Sequence, residues 1–343
     1  MITTKKCLLL LGIIFQAITS FSQSKIIGKI DSLLSLHTNT PFNGVILVSD
    51  DKKAIYSKAL GFSNFTHSTS LKIDDQFVVG SISKQFTATL VLQEYEKRRI
   101  NLSIPIRRYL PELTQSWADT VTVHHLLSHT HGIVTLEKPT MFKVGAQFAY
   151  SQIGYDLLAK IIERTSGKSF SSLATELFKQ CKMSRTFHPD VMEYHHLAKG
   201  YTQQPDGTMA FDSSSFMNYP AAGSFVSTAG DLALWNECLH NGKLLKPNTY
   251  QMMITPQKNA VREHPIFGKT YYGYGITVLN TGKLTRLGQT GFTPGFVSMD
   301  FYYPETHTTV VVWENVVYDN DNLVNAFKYH TEILQIAEMN LKN

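Results

Sequence analysis

Strand-forming residues are concentrated at the two ends of this chain, while the segment between them has helical periodicity. Residues 44–48 and 54–57 are short runs of strand-favouring residues that flank a polar turn, which predicts a β-hairpin. Residues 296–303 and 308–313 flank a proline-containing turn and predict a second hairpin. We therefore predict an α+β fold, in which an antiparallel sheet from the N- and C-terminal strands is flanked by helices and a mainly helical region is inserted.

Three segments of the chain have the spacing of helices. Residues 152–166 place apolar side chains on one face, and Gly167 follows as a stop signal. A second helix is predicted to begin at Thr228 and to end before Gly242, and a third to begin at about Asn322. With no long linker between these segments, residues 23–343 are predicted to form a single domain. Its sheet part is expected in about residues 40–85 and 265–343, and its helical part in about residues 86–264.

The first 22 residues are typical of a secretory signal peptide: two lysines, a short apolar run and then small residues. Cleavage is expected near Ser22 and Gln23, which would give a periplasmic or secreted protein with no membrane span. The 32 basic and 27 acidic residues form no dense basic patch, which argues against nucleic-acid binding. Cys181 and Cys238 remain after cleavage, and both a disulfide and two buried thiols stay open, as does the oligomeric state.

Ser81 and Lys84 are the first candidates for chemistry, because they lie three residues apart where a strand-like segment meets a helical one. That spacing puts both side chains on one face of the first helical turn. A serine hydroxyl becomes nucleophilic when a neighbouring amine can take its proton. The same spacing occurs elsewhere in the chain, for example at Ser49 and Lys52, so the pair alone is a weak signal.

Four further segments give this pair a context. The five are, in order, VGSISKQFTA (79–88), VHHLLSHTHG (123–132), FAYSQIGY (148–155), STAGDL (227–232) and GQTGFTPG (288–295). Together they resemble the motifs of the serine β-lactamase and penicillin-binding protein superfamily in its class C-like branch, and the similarity covers nearly all of the mature chain.

The resemblance implies a role for each matching residue. Ser81 would be the acylated nucleophile, Lys84 and Tyr150 would handle its proton, and the backbone N–H groups of Ser81 and Phe292 would form the oxyanion hole. The residues expected to bind the substrate are Gln152, Gln289, Thr290 and Gly291. No metal or other cofactor is implied.

Two positions depart from the family pattern. Gln152 stands where an asparagine is expected, and Gln289 stands where a lysine or histidine commonly precedes Thr-Gly. The second change removes a cation from the wall that would face a substrate carboxylate, unless Arg286 or Lys283 compensates. We therefore predict a serine hydrolase that acts on small-molecule or peptide substrates with an ester or amide bond, with esterase or D-amino-acid peptidase-like activity and at best weak hydrolysis of β-lactams.

Two other functions remain open at this point. A catalytically impaired protein could use the same cleft to bind cell-wall fragments or β-lactams. Alternatively, His125 and His129 lie four residues apart, a spacing by which one helix can offer two imidazoles to zinc. The family segment instead implies that these histidines, with His124 and His131, make structural hydrogen bonds under the cleft.

Overall fold

The computed structural model describes residues 25–51, 53–190, 194, 196–213, 219–280, 282 and 284–341. The expected signal peptide, residues 1–22, and Lys283 lie outside the described residues. Within these ranges, no helix combines the length and the apolar composition that crossing a membrane requires.

The strands are numbered here in the order in which they occur along the described chain. They are β1 (Gly44–Asp50), β2 (Lys53–Leu60), β3 (Phe62–Asn64), β4 (Thr69–Ser70), β5 (Phe77–Val78), β6 (Tyr201–Gln203), β7 (Met209–Phe211), β8 (Val226–Ser227), β9 (Val261–His264), β10 (Gly268–Tyr272), β11 (Thr277–Asn280), β12 (Thr285–Thr293), β13 (Phe296–Tyr303), β14 (Thr308–Glu314) and β15 (Val316–Val317).

The central feature is an eight-stranded sheet of order β2-β1-β14-β13-β12-β11-β10-β9. Every neighbouring pair in it is antiparallel. The N-terminal hairpin joins the C-terminal one through β1 and β14, where Gly44 pairs with Glu314. These pairings confirm the predicted antiparallel sheet built from both ends of the chain.

Helices supply the rest of the regular structure. They are α1 (residues 25–34), α2 (Ser83–Glu96), α3 (Val123–Leu127), α4 (Ile153–Ser166), α5 (Phe170–Gln180), α6 (Pro220–Gly223), α7 (Ala229–His240), α8 (Pro247–Ile254), α9 (Leu323–Ala326) and α10 (Lys328–Leu341). Short 3₁₀ turns cover Gly80–Ile82, Ile106–Arg108 and Ser116–Asp119.

Apolar side chains cover both faces of the sheet. On β14, Val310 and Val312 belong to the core shared with α1 and α10, whereas Val311 and Trp313 belong to the core shared with the inserted helices. Because alternate residues of a strand point to opposite faces, a strand covered on both sides needs an unbroken apolar run. That requirement explains the continuous apolar run VVVW at residues 310–313 of β14.

The inserted region follows the helical predictions closely. Helix α4 ends before Gly167, and the Thr228 hydroxyl caps α7 by accepting from the backbone N–H of Asp231 at 3.2 Å.

Two features differ from the prediction. The C-terminal helix, expected to be continuous from Asn322, is interrupted at Phe327. The chain re-enters the sheet at Val261, a few residues before the expected boundary.

Cys181 and Cys238 are both buried and unpaired. They lie at the end of α5 and in α7. Burial raises the pKa of the Cys181 thiol, and a hydrogen bond with Cys238 acts in the same direction.

Candidate active site

Three segments bring Ser81, Lys84 and Tyr150 together. Ser81 lies in the 3₁₀ turn that leads into α2, Lys84 lies in the first turn of α2, and Tyr150 lies just before α4. The Lys84 Nζ donates a hydrogen bond to the Ser81 Oγ at 3.2 Å and lies 4.6 Å from the centre of the Tyr150 ring. Ser81 and Lys84 are close because they lie three residues apart at the start of a helix, whereas the tertiary fold brings Tyr150 next to them.

Backbone contact between the turn and β12 fixes the position of Ser81. Gly80 has a φ of +55°, and a Cβ atom there would lie 2.8 Å from the Cα of Gly291 and 3.0 Å from the N of Phe292. Only glycine fits so close a contact at a positive φ. As a result, the amide groups of Ser81 and Phe292 belong to neighbouring segments, and both residues line the same cleft.

Lys84 is fully buried. Besides Ser81, its ammonium group donates to the Gln152 Oε1 at 2.6 Å and to the Ala222 carbonyl oxygen at 2.7 Å. Burial lowers the pKa of Lys84 from its ordinary value. A lysine with a lowered pKa can exchange a proton with a neighbouring hydroxyl more easily than a solvated lysine can.

Two cations lie close to the ring of Tyr150. The Lys84 Nζ and the Arg262 Cζ each lie 4.6 Å from its ring centre. Burial raises the pKa of the Tyr150 hydroxyl, but the charges of Lys84 and Arg262, together with hydrogen bonding to Lys84 and Ser81, lower it overall. The phenol is therefore a better base near neutral pH than an ordinary tyrosine.

The cleft over Ser81 has a volume of about 140 Å³. Its polar lining comes from Ser81, Tyr150, Gln152, Arg262, His264 and Thr290, and its apolar lining from Pro265, Ile266, Phe292, Leu323 and Phe327. The interruption between α9 and α10 thus places Phe327 against the cleft.

Gln289 and Gly291 do not belong to the described cleft lining, although both were expected to bind the substrate. Gln289 is fully buried, accepts from the Thr277 hydroxyl at 3.1 Å and donates to the Tyr272 hydroxyl at 2.9 Å. A Cβ at Gly291 would lie 2.3 Å from the Val79 carbonyl oxygen, so Gly291 permits the close backbone contact between β12 and the segment that leads to Ser81.

The expectation that the cleft lacks a cation is wrong. Arg286 does not compensate for Gln289, because its guanidinium pairs with Glu338 at 3.1 Å. The cation is Arg262, and sequence analysis did not identify it. It comes from β9, a four-residue edge strand, where Arg262 and His264 are two residues apart and therefore face one side. That alternation is visible in the sequence only once the strand is known.

The four histidines of the rival hypothesis bind separate partners. His124 Nδ1 lies 2.8 Å from the Tyr274 hydroxyl, His125 Nδ1 accepts from the Thr122 N–H at 3.1 Å, and His131 Nδ1 accepts from the Ile133 N–H at 2.9 Å. His129 packs on the Tyr150 ring with centroids 4.5 Å apart.

Burial lowers the pKa of each of these four rings, to about 4 at His125 and about 3 at His131. Among the described residues, no group of three or more His, Cys, Asp or Glu side chains could hold a metal ion. The cluster therefore gives the zinc hypothesis no support.

Comparison with solved structures agrees with this architecture. A D-amino acid amidase from Ochrobactrum anthropi SV3, complexed with D-phenylalanine, superposes with a TM-score of 0.77 at 20% identity over 91% of this chain and 99% of that one. A penicillin binding protein from Bacillus halodurans gives a TM-score of 0.73 at 22% identity over 86% of this chain and 96% of that one.

Sequence comparison points in the same direction. A teichoic acid D-alanine hydrolase from Staphylococcus aureus (strain MRSA252) is 25% identical over 305 residues, which are 82% of this chain and 72% of that protein. The family model described as Beta-lactamase matches residues 41–335. The resemblance seen in the five motifs is thereby confirmed, and the chain belongs to the Beta-lactamase family.

Proposed function

We propose that this protein is an exported serine hydrolase that cleaves an ester or amide through a covalent acyl-enzyme on Ser81. The observation that carries the proposal is the 3.2 Å contact between the Ser81 hydroxyl and the fully buried amine of Lys84. A buried lysine is costly to keep charged, so its placement against a hydroxyl is best explained by proton transfer. We propose further that residues 23–343 act as one catalytic domain.

The reaction begins when the Ser81 Oγ gives its proton to the Lys84 and Tyr150 pair and attacks the substrate carbonyl carbon. The carbonyl oxygen becomes negatively charged and accepts from the N–H groups of Ser81 and Phe292. Tyr150 then returns the proton to the leaving alcohol or amine as the bond to the carbonyl carbon breaks. Finally, water gives a proton to the same pair and attacks the carbonyl carbon of the acyl-enzyme. The bond from this carbon to the Ser81 Oγ breaks, the Oγ takes the proton back from the pair, and the acid is released.

The substrate class we propose is an ester or amide of a small acyl group, such as a D-amino acid. The names of two similar proteins, a teichoic acid D-alanine hydrolase and a D-amino acid amidase, support this choice. Weak hydrolysis of β-lactams stays part of the proposal, because a cleft of about 140 Å³ is smaller than the roughly 300 Å³ of the smallest sites that bury drug-sized ligands.

Hydrolysis by the purified mature protein tests this function. We expect turnover of a short-chain nitrophenyl ester and of D-alanine amide, a lower kcat/KM for a chromogenic cephalosporin, and no turnover of any substrate by Ser81→Ala. A higher efficiency on the cephalosporin would reverse the proposed substrate order. A stable adduct on Ser81 without turnover would instead indicate the alternative function, a catalytically impaired protein that binds cell-wall fragments or β-lactams.

A further inference from the structure

A second cavity lies between α7 and the β2, β1, β14 and β13 part of the large sheet. Among the described residues, it shares no lining side chain with the cleft over Ser81. Its volume is about 250 Å³, and a cavity of about 150 Å³ in a protein core is enough to bind benzene. The space therefore suits a molecule of one ring with a short substituent.

The floor of this cavity is a row of residues across four strands. Ser49 of β1 pairs directly with Thr309 of β14. Ala54 of β2 lies beside Ser49, and Tyr302 of β13 lies on the other side of the row. Directly paired residues point to the same face of a sheet, so the row presents two hydroxyls side by side. The hydroxyl of Tyr302 is already occupied, because it lies 2.8 Å from the Nδ1 of His307.

The hydroxyls of Ser49 and Thr309 are buried and have no hydrogen-bond partner within the described part of the chain. Only 6% of Ser49 and 3% of Thr309 is exposed. Burying a hydroxyl without a partner is unfavourable. Because both residues line the cavity, a polar group held there can form the hydrogen bonds that the protein does not supply.

Helix α7 forms the opposite wall. The four of its residues that line the cavity follow the spacing i, i+3, i+4 and i+7, which places them on one helical face: Gly230, Ala233, Leu234 and Glu237. The space exists because two of the four are small, and a Cβ added at Gly230 would find its nearest heavy atom 3.9 Å away. Leu234 and, from β1, Leu47 give the cavity an apolar part.

The rim of the cavity is acidic. Asp51 lies in the turn after β1, two residues beyond Ser49, and its exposed carboxylate has no ion pair with any described residue. Glu237 also lines the cavity, although Lys243 pairs with it at 2.6 Å. The C-terminal end of α7 reaches the cavity at Asn241, and such an end carries partial negative charge. Together these groups favour a cation.

We propose that this cavity binds a small aromatic amine in its protonated form. The ring of the amine packs between Leu47 and Leu234. Its ammonium group, which is a donor only, donates to the hydroxyls of Ser49 and Thr309 and lies near Asp51.

Isothermal titration calorimetry of the purified mature protein tests the site with two molecules of similar size, benzylamine and benzyl alcohol. The first is a cation at neutral pH and the second is neutral. We expect both to bind, with a Kd about fivefold lower for benzylamine, the upper value for an exposed ion pair. Added salt should reduce this preference, and benzoate should bind more weakly than either. Ser81→Ala should bind all three as the wild type does, because the cavity is separate from the cleft.

Three variants locate the bound molecule. Asp51→Asn should remove most of the preference for benzylamine and leave the affinity for benzyl alcohol unchanged. Thr309→Val keeps the shape of the side chain and should weaken both ligands by roughly twofold to tenfold, since one hydrogen bond is lost. Ala233→Met should weaken both by filling the space. The matched control is Asp206→Asn, which changes an exposed aspartate in the turn between β6 and β7 and should alter neither affinity.

Cooperative thermal unfolding near the wild-type temperature, without ligand, shows that each variant is folded. The ammonium site would be overturned by an absence of saturable benzylamine binding, by equal affinities for benzylamine and benzoate, or by binding that no folded variant of the three weakens. None of these results bears on hydrolysis at Ser81, so the proposed function stands or falls separately.

Discussion

The guanidinium carbon of Arg262 lies 4.6 Å from the centre of the Tyr150 ring, which connects the edge strand β9 to the proton-transfer group we propose. A cation at this distance stabilises the phenolate more than the phenol. Lys84 acts on the same ring, and the two charges, together with hydrogen bonding to Lys84 and Ser81, outweigh the effect of burial and lower the pKa of Tyr150.

Replacing Arg262 should therefore change the pH dependence of the reaction. Without this cation the pKa of Tyr150 rises, so a larger fraction of Tyr150 is protonated at neutral pH and a higher pH is needed to create the base. We expect the acid limb of the kcat/KM profile for a neutral ester to move to higher pH in Arg262→Gln, and less so in Arg262→Lys. A profile that coincides with the wild type would contradict this role of Arg262.

Gln152 should be needed to hold Lys84. Its Oε1 accepts from the Lys84 Nζ at 2.6 Å, and loss of a hydrogen bond to a charged group costs about 1.5 to 3 kcal/mol. We expect Gln152→Ala to lower kcat/KM for a neutral ester by roughly tenfold to hundredfold. Gln152→Asn should restore little, because its oxygen recedes by about one carbon–carbon bond, ~1.5 Å. Wild-type rates in Gln152→Ala would show that Lys84 is positioned without this amide.

Gly80 should not tolerate a side chain. Its φ of +55° and the 2.8 Å separation between a Cβ atom and the Gly291 Cα predict strain of about 1–3 kcal/mol and a displaced β12 in Gly80→Ala. Urea denaturation should show lower stability, and kcat should fall because the proposed oxyanion hole spans this contact.

Gly230→Ala is the matched control for Gly80→Ala. Gly230 lies in α7, and the nearest heavy atom to an added Cβ is 3.9 Å away. We expect its stability to equal or exceed that of the wild type, since alanine favours a helix. A Gly80→Ala protein as stable and as active as this control would disprove the packing argument.

Buried Asp300 should make stability depend on pH. Burial raises its pKa from 3.8 to about 7, although the Asn236 amide donates to it at 2.7 Å. Between these two values the folded protein holds a proton that the unfolded chain has lost, so stability falls as pH rises, by at most about 1.4 kcal/mol per pH unit for one group. Above about pH 7 this contribution is constant.

Asp300→Asn removes the titrating carboxyl group, so the stability of the variant should depend less on pH. The free energy of unfolding of the variant, relative to the wild type, is expected to increase from pH 4 to pH 7 and then to level off. Chemical denaturation across this range measures the difference. A constant difference would mean that Asp300 does not titrate there.

The sheet and much of the helical region could be predicted from the sequence because their signals are local. Alternating or continuous apolar runs define β13 and β14, and the Thr228 cap and Gly167 mark helix ends within a few residues of the observed bounds. The three candidate catalytic residues were accessible because short motifs surround them.

Arg262 and Gln289 show what local signals leave out. β9 has four residues at the edge of the sheet, too few for a periodic pattern, and the position of Arg262 depends on its packing against Tyr150. Gln289 lies in β12, and its amide bonds to Tyr272 and Thr277 from other strands. Contacts between segments distant in sequence decide both cases, and a single sequence does not reveal them.

Rapid-quench mass spectrometry of the intact protein mixed with a nitrophenyl ester tests the central claim most directly. The account predicts a transient mass increase equal to the acyl group, mapped by proteolysis to Ser81 and absent from Ser81→Ala. Ester hydrolysis by Ser81→Ala at the wild-type rate, or an acyl group mapped to a different side chain, would contradict it.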